Sequence, residues 1–212
     1  MEITWLGHSC FRLKGKTATL LTDPYAESVG YTLGRLAADI VTVSCDAPDH
    51  NNWQAVQDVR KVIRGPGEYE IANVTLLGAW TLAVVEKERP RLKNTAYVID
   101  MDGLRLCHLG DIAQVPAGEQ VAALGKPHIL FVPVGGNETL DGKLAAECVR
   151  LLEPNIVIPM HYKTPAVKGT LETVEKFLKE MGVKDRLPQP RLSVTPSNLP
   201  GEMQVVVLDY PH

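Results

Sequence analysis

Ala38-Asp39-Ile40-Val41-Thr42-Val43-Ser44-Cys45-Asp46-Ala47-Pro48-Asp49-His50-Asn51-Asn52 is an apolar strand that stops in a short polar loop. Ile40, Val41 and Val43 are β-branched and read as buried strand, whereas Asp46, Pro48, Asp49 and the two asparagines are turn formers that cannot continue it. The strand therefore delivers Asp49 and His50 to its C-terminal end.

Working outward toward the N-terminus, Glu2 to Leu6, Cys10 to Leu13 and Thr17 to Thr22 read as short strands separated by Gly7-His8-Ser9 and Lys14-Gly15-Lys16. Asp23-Pro24 ends the third, and residues 26–37 read as an irregular or helical connection. In the other direction, Trp53 to Val59 reads as one or two helical turns and Lys61 to Arg64 as a strand. Gly65-Pro66-Gly67-Glu68-Tyr69-Glu70 reads as a structural turn with Glu68 or Tyr69 at the mouth of a cleft. Asn73 to Leu77, Thr81 to Glu86, Thr95 to Met101 and Leu104 to Leu109 then form an antiparallel meander, with Asp102-Gly103 a two-residue hairpin signal. Glu86 to Lys93 is charge-rich and reads as a solvated loop.

The second half changes texture. Glu119 to Leu124, Leu140 to Leu152 and Leu171 to Met181 have helical apolar spacing, and Ile129 to Val132 and Ile156 to Ile158 are compact strands between them. Pro154 and Gly182 stop two of the helices, and Arg191 to Val194 and Gln204 to Leu208 close the chain as strands. Pattern alone gives a mixed α/β fold.

With 212 residues, 45% hydrophobic and 22% charged, the chain suits one domain, residues 1–212, better than two. A net charge of -3 leaves no footprint for nucleic acid or an anionic membrane. No apolar run reaches a membrane span, and no secretory apolar region is apparent. The four cysteines, Cys10, Cys45, Cys107 and Cys148, form no Cys-x-x-Cys pair, so a reducing, cytoplasmic setting is expected.

Four strand ends carry polar groups that the pattern does not require: Gly7-His8-Ser9, Asp49-His50, His108-Leu109-Gly110-Asp111 and Pro159-Met160-His161-Tyr162. A single histidine at a strand end is usually a hydrogen-bonded residue, and a Gly-Asp is usually a turn. As a set they lie where loops converge on one cleft. Gly135-Gly136-Asn137, ahead of a helix, offers amides for an anion but lacks the rest of a phosphate loop.

The set resembles the metallo-β-lactamase superfamily, and within it the small metal-dependent hydrolase branch similar to L-ascorbate-6-phosphate lactonases. Trp5-Leu6-Gly7-His8-Ser9 matches the opening of that branch, and Thr22-Asp23-Pro24 matches its buried structural aspartate. His108-Leu109-Gly110-Asp111 matches the segment whose aspartate bridges two metals, and Pro159-Met160-His161-Tyr162 matches the last ligand. The resemblance runs in order along nearly the whole chain. It implies a four-layer αβ/βα sandwich, with two mixed β-sheets face to face and helices outside.

The family's His-x-His-x-Asp-His motif falls on Cys45, Ala47, Asp49 and His50, so its first half is missing. The mid-chain histidine is missing too: Gly78-Ala79-Trp80-Thr81-Leu82-Ala83-Val84 holds none, and the ligand position is expected near Ala83. Every ligand unique to one metal is therefore replaced. The set implied for the other, Asp49, His50, Asp111 and His161, is complete.

Two carboxylates and two imidazoles suit one divalent cation, Zn²⁺ first, with Mn²⁺ or Fe²⁺ as alternatives. The expectation is a hydrolase with a single-metal site acting on a small-molecule ester, lactone, amide or phosphoester, with hydroxide made available at the metal. Asp49 is expected to be both ligand and orienting base. His8 is read as a catalytic contact to ligand or substrate, or as a turn cap, His108 as a packing residue or a support behind the ligands, and Cys45 as a fifth contact or a bystander. The expected partner is a small-molecule substrate, with no nucleic acid and no membrane; a homo-oligomer stays open. Two other readings stand beside this one. The loss of half the motif fits a pseudoenzyme that binds or assembles, and a nuclease is disfavoured by the acidic balance.

Overall fold

The computed structural model describes residues 1–82, 93–184 and 187–210. In chain order the strands are β1 (Glu2–Gly7), β2 (Cys10–Lys14), β3 (Thr19–Thr22), β4 (Leu36–Ala37), β5 (Ile40–Val43), β6 (Val56–Gln57), β7 (Lys61–Arg64), β8 (Gly67–Ile71), β9 (Val74–Leu82), β10 (Lys93–Met101) and β11 (Leu104–His108). Helix α1 (Glu119–Leu124), β12 (Ile129–Pro133), α2 (Gly142–Leu152), β13 (Ile156–Met160), α3 (Val174–Glu180), β14 (Leu192–Ser193) and β15 (Gln204–Val205) follow.

These build two mixed sheets and a small two-stranded one. The first sheet runs β14-β1-β2-β3-β5-β7 and the second β15-β13-β12-β11-β10-β9-β8, with β4 and β6 paired separately. In the first sheet β1, β2 and β3 are antiparallel neighbours, while β3, β5 and β7 run parallel. In the second, the β8 to β11 meander is antiparallel, and β11, β12, β13 and β15 are parallel. The β10–β11 turn has Asp102 at φ 53° and Gly103 at φ 78°, the left-handed pair that the Asp-Gly hairpin signal requires.

The sheets face each other across an apolar layer. Phe11 of β2 packs on Phe131 of β12 with ring centroids 4.5 Å apart, and Ile3, Trp5, Leu13, Leu20 and Ile40 join the same core. Alternation sends Leu6, Cys10, Leu21, Val41 and Val43 to the opposite face of the first sheet, into a second cluster with Tyr25 and Tyr31. The layer there is irregular chain and short 3₁₀ turns, whereas α1 packs on β9 and β10, and α2 on β12 and α3. Helix α2 begins cleanly because Asp141 caps it, its carboxylate accepting from the Leu144 amide at 2.8 Å. Such a cap is worth about 1 kcal/mol.

Several expectations are corrected here. Val74 to Leu77, most of the segment expected from Asn73, and Thr81 to Leu82 belong to one strand, β9, that runs through Gly78. A Cβ at Gly78 would sit 2.7 Å from the Gly65 carbonyl oxygen, so that glycine marks a close backbone approach and not a break. Residues 67–71, read as a turn, pair with β9 as β8. Trp53 to Val59 holds one 3₁₀ turn, Trp53–Ala55, and then β6. The helix expected from Leu171 starts at Val174 because Glu172 spends its backbone on tertiary bonds, donating to Gly135 and accepting from Lys163. Ala83, and the loop from Glu86 up to residue 92, lie outside the described residues.

Candidate metal centre

The ends of β1, β5, β11 and β13 meet at one rim of the sandwich, and β3 contributes Asp23 from below. Asp23 is fully buried. Its Oδ1 accepts the Ser44 amide at 2.8 Å, and its Oδ2 accepts the Ser44 hydroxyl at 2.5 Å and His50 Nδ1 at 2.9 Å. Burial opposes its charge, but these bonds and the nearby imidazoles hold its pKa below the ordinary carboxylate value. An ionised Asp23 requires the proton on His50 Nδ1, which leaves Nε2 to face the rim.

His50 Nε2 is buried and has no hydrogen-bond partner among the described residues. It lies 3.7 Å from Asp111 Oδ1 and 3.8 Å from Asp49 Oδ2. His161 Nε2 is also 3.7 Å from Asp111 Oδ1. In a tetrahedral zinc site with bonds of about 2.0–2.1 Å, ligand atoms are separated by roughly 3.4 Å. The separations here are close to that, so His50 and Asp111 stand at ligand spacing, with Asp49 beside His50 and His161 beside Asp111. The structure thus brings Asp49, His50, Asp111 and His161 together.

Without a cation the cluster shares protons. Burial favours neutral His50, yet Asp111, Asp23 and Asp49 outweigh it and raise its pKa to about 10. Burial raises Asp111 to about 7. His161 is held well below its ordinary value by burial and by the other two imidazoles. Asp49 is held low despite its own burial, by the His8 hydrogen bond and the adjacent rings.

Asp111 is set in place by Asn94, a residue that pattern gave no reason to select. The Asn94 side-chain carbonyl accepts the Asp111 amide at 2.9 Å, and its NH₂ donates to Thr81 Oγ1 at 2.6 Å and the Leu109 carbonyl at 2.9 Å. Gly110, at φ +63°, lets the chain pass: a Cβ there would lie 2.4 Å from Ser44 Cβ. His108 does pack, as expected. Its Nε2 donates to the Ser9 carbonyl at 3.0 Å, and its Nδ1 accepts the Gly110 amide at 3.2 Å.

His8 enters from the β1–β2 turn at φ 51°, a left-handed conformation uncommon for a non-glycine residue. Its Nε2 is 3.2 Å from Asp49 Oδ2, and its ring lies 3.9 Å from that of His161. Cys45 Sγ approaches Asp111 Oδ2 at 3.8 Å. Burial first, then Asp111, raises its pKa, so the thiol stays protonated.

A cleft of about 350 Å³ opens over His8, Asp49, Asp111 and His161, a size suited to a small molecule. Asn137 and Glu138 line its wall, with Val29 and Leu171 as apolar surface. Gly135-Gly136 is no anion loop. The Gly136 amide is spent on Leu140, and α2 starts only at Gly142. Gly135 instead lets the chain touch His161, whose carbonyl would be 2.0 Å from a Cβ there. Glu68 and Tyr69 do not line this cleft.

With fold and site in view, comparison with known proteins assigns the class. The Beta-lactamase superfamily domain matches residues 2–161. The chain belongs to that family. A metal-dependent hydrolase of Methanoculleus marisnigri is 29% identical over 205 residues, covering 84% of this chain and 89% of that one. A metal-dependent hydrolase of Archaeoglobus fulgidus is 26% identical over 215 residues, covering 86% and 93%. Among solved structures, a Thermotoga maritima protein named as a Zn-dependent hydrolase of the metallo-beta-lactamase superfamily superposes with a TM-score of 0.80 at 34% identity, covering 99% of each chain.

Proposed function

We propose that this protein is a metal-dependent hydrolase with a single divalent cation held by Asp49, His50, Asp111 and His161. Zn²⁺ is the first choice, with Mn²⁺ or Fe²⁺ compatible with the same nitrogen and oxygen donors. The observation that carries the reading is the buried His50 Nε2, fixed by Asp23 and aimed without a hydrogen-bond partner, among the described residues, between two carboxylates. The names of the Methanoculleus, Archaeoglobus and Thermotoga relatives support it.

A cation in this set supplies Lewis acidity toward the scissile group and lowers the pKa of water. The chain supplies the rest. Asp49, with its side chain 38% exposed to the cleft, is ionised at neutral pH and accepts a hydrogen bond from the attacking water, orienting it. His8 Nε2 holds the Asp49 carboxylate at 3.2 Å. The cleft admits a small-molecule ester, lactone, amide or phosphoester. The described residues include no helix long and apolar enough to cross a membrane. The four cysteines are free and buried, which supports a reducing, cytoplasmic setting.

Metal analysis of protein purified without chelator is expected to find close to one equivalent, and Asp111→Ala or His161→Ala to abolish it. A preparation that binds no metal under any loading condition sinks the reading. Metal binding without turnover of esters, lactones, amides or phosphoesters would instead favour the pseudoenzyme that the replaced Cys45 and Ala47 positions suggest.

A further inference from the structure

His8 carries more structural investment than a hydrogen bond to Asp49 calls for. Its carbonyl accepts the Trp5 indole N–H at 2.9 Å and the His161 amide at 3.1 Å, so the chain clamps the backbones of His8 and His161 to each other. Both residues are left-handed, at φ 51° and 54°. Gly7 before it, at φ +106°, leaves room for the Tyr31 ring, which a Cβ would meet at 2.7 Å. Two residues far apart in sequence are thus held in an uncommon backbone state, with their buried rings 3.9 Å apart.

A donor for Asp49 alone would not need this. One His8 nitrogen meets Asp49, while Nδ1 is buried with no hydrogen-bond partner among the described residues. One donor atom from each of His8, Asp49, His50 and His161 lies within 4.8 Å of the other three. Asp111 forms a similar cluster with His50 and Cys45 instead.

We propose that His8 is a direct ligand of the cation, giving it three imidazoles and placing a nitrogen from the β1–β2 turn beside the Asp49, His50 and His161 donors. This rests on the reading that a cation binds there. It means that the centre lost the nitrogens of the Cys45 and Ala47 positions but gained one from the opposite wall. A shell with three nitrogens is a better match for Zn²⁺ than for the harder cations, which prefer oxygen.

Zn²⁺-loaded full-length protein, examined by X-ray absorption at the zinc edge, should show three imidazoles. His108 is committed at both ring nitrogens to Ser9 and Gly110, and His128 directly precedes β12 at the strand end opposite the rim, so neither supplies the third. His8→Asn, a residue that tolerates the left-handed backbone, should show two imidazoles. Its Zn²⁺ affinity, measured by chelator competition, should fall by more than the roughly 100-fold that loss of an outer hydrogen-bond partner costs a metal site. Zinc bound through two imidazoles in the unaltered protein, or a His8→Asn loss within that range, overturns the ligand role and leaves the single-cation reading intact. No zinc binding at all overturns both.

Discussion

The two flanks of Asp111 are built from different chemistry. On one side lie His8, Asp49 and His161 under a cleft of about 350 Å³. On the other lies Cys45, at the floor of a cavity of about 330 Å³ lined by Arg64, Trp80 and Lys93. The first flank is rich in bases with nothing cationic among its described lining residues. The second offers a protonated thiol, and Ala47 gives no side-chain donor at all. Its charged groups are Arg64, paired with Asp46 at 2.9 Å, and Lys93, whose Nζ lies 5.1 Å from the centre of the Trp80 ring. A divalent ion on that side would find Asp46 already paired with Arg64, Lys93 nearby, and few other ligands. The single-cation reading proposed above draws on this contrast.

The sharpest way to break this contrast is to disarm His50, the residue shared by both flanks, through its support. Asp23→Asn keeps the shape but removes the carboxylate that sets the His50 tautomer. Zn²⁺ affinity should drop about 10- to 100-fold, read by chelator competition, and urea unfolding should show a loss of about 1–3 kcal/mol from a damaged buried network. An unchanged affinity would mean that His50 is not oriented by Asp23.

The second test uses pH. Because the folded-state pKa of His50 is raised to about 10, its ring keeps both protons at neutral pH, and cation binding must displace one. Affinity should therefore rise about tenfold per pH unit from pH 7 to 9, since proton and cation compete for one lone pair. Below pH 7 the slope should steepen, because Asp111, raised to about 7, gains a proton as well. Calorimetry in buffers of different ionisation enthalpy counts those protons, and a flat profile would contradict the shared-proton cluster.

The smallest effect is expected on the poorer flank. Cys45→Ala should change Zn²⁺ affinity by less than about 3-fold, because a buried thiol held in its protonated form is a weak donor. A large loss would move the cation toward Cys45 and reverse the contrast between the flanks.

Much of this was legible before any coordinates. The Ile40 to Val43 strand, the Asp102-Gly103 hairpin and the helix ending at Leu152 declare themselves through β-branched runs, turn chemistry and apolar period. The strand ends carrying His8, Asp49-His50, Asp111 and His161 stood out because a polar group directly after an apolar run needs a reason. Gly78 misled, since a glycine that breaks a strand and one that yields to the neighbouring Gly65 turn look the same in one dimension.

By itself, then, the sequence determined which side chains reach the rim of the sandwich, and that Cys45 and Ala47 stand where the resemblance leads one to expect imidazoles. Tertiary structure alone decided how they are held: that Asp23 grips His50 through Nδ1, that Asn94 seats Asp111, and that His8 is pinned beside His161. Those contacts join residues between 17 and 153 positions apart in the chain. Contacts of that kind depend on where folded strands end in space, and a polar bond between distant segments leaves no periodic trace in either one.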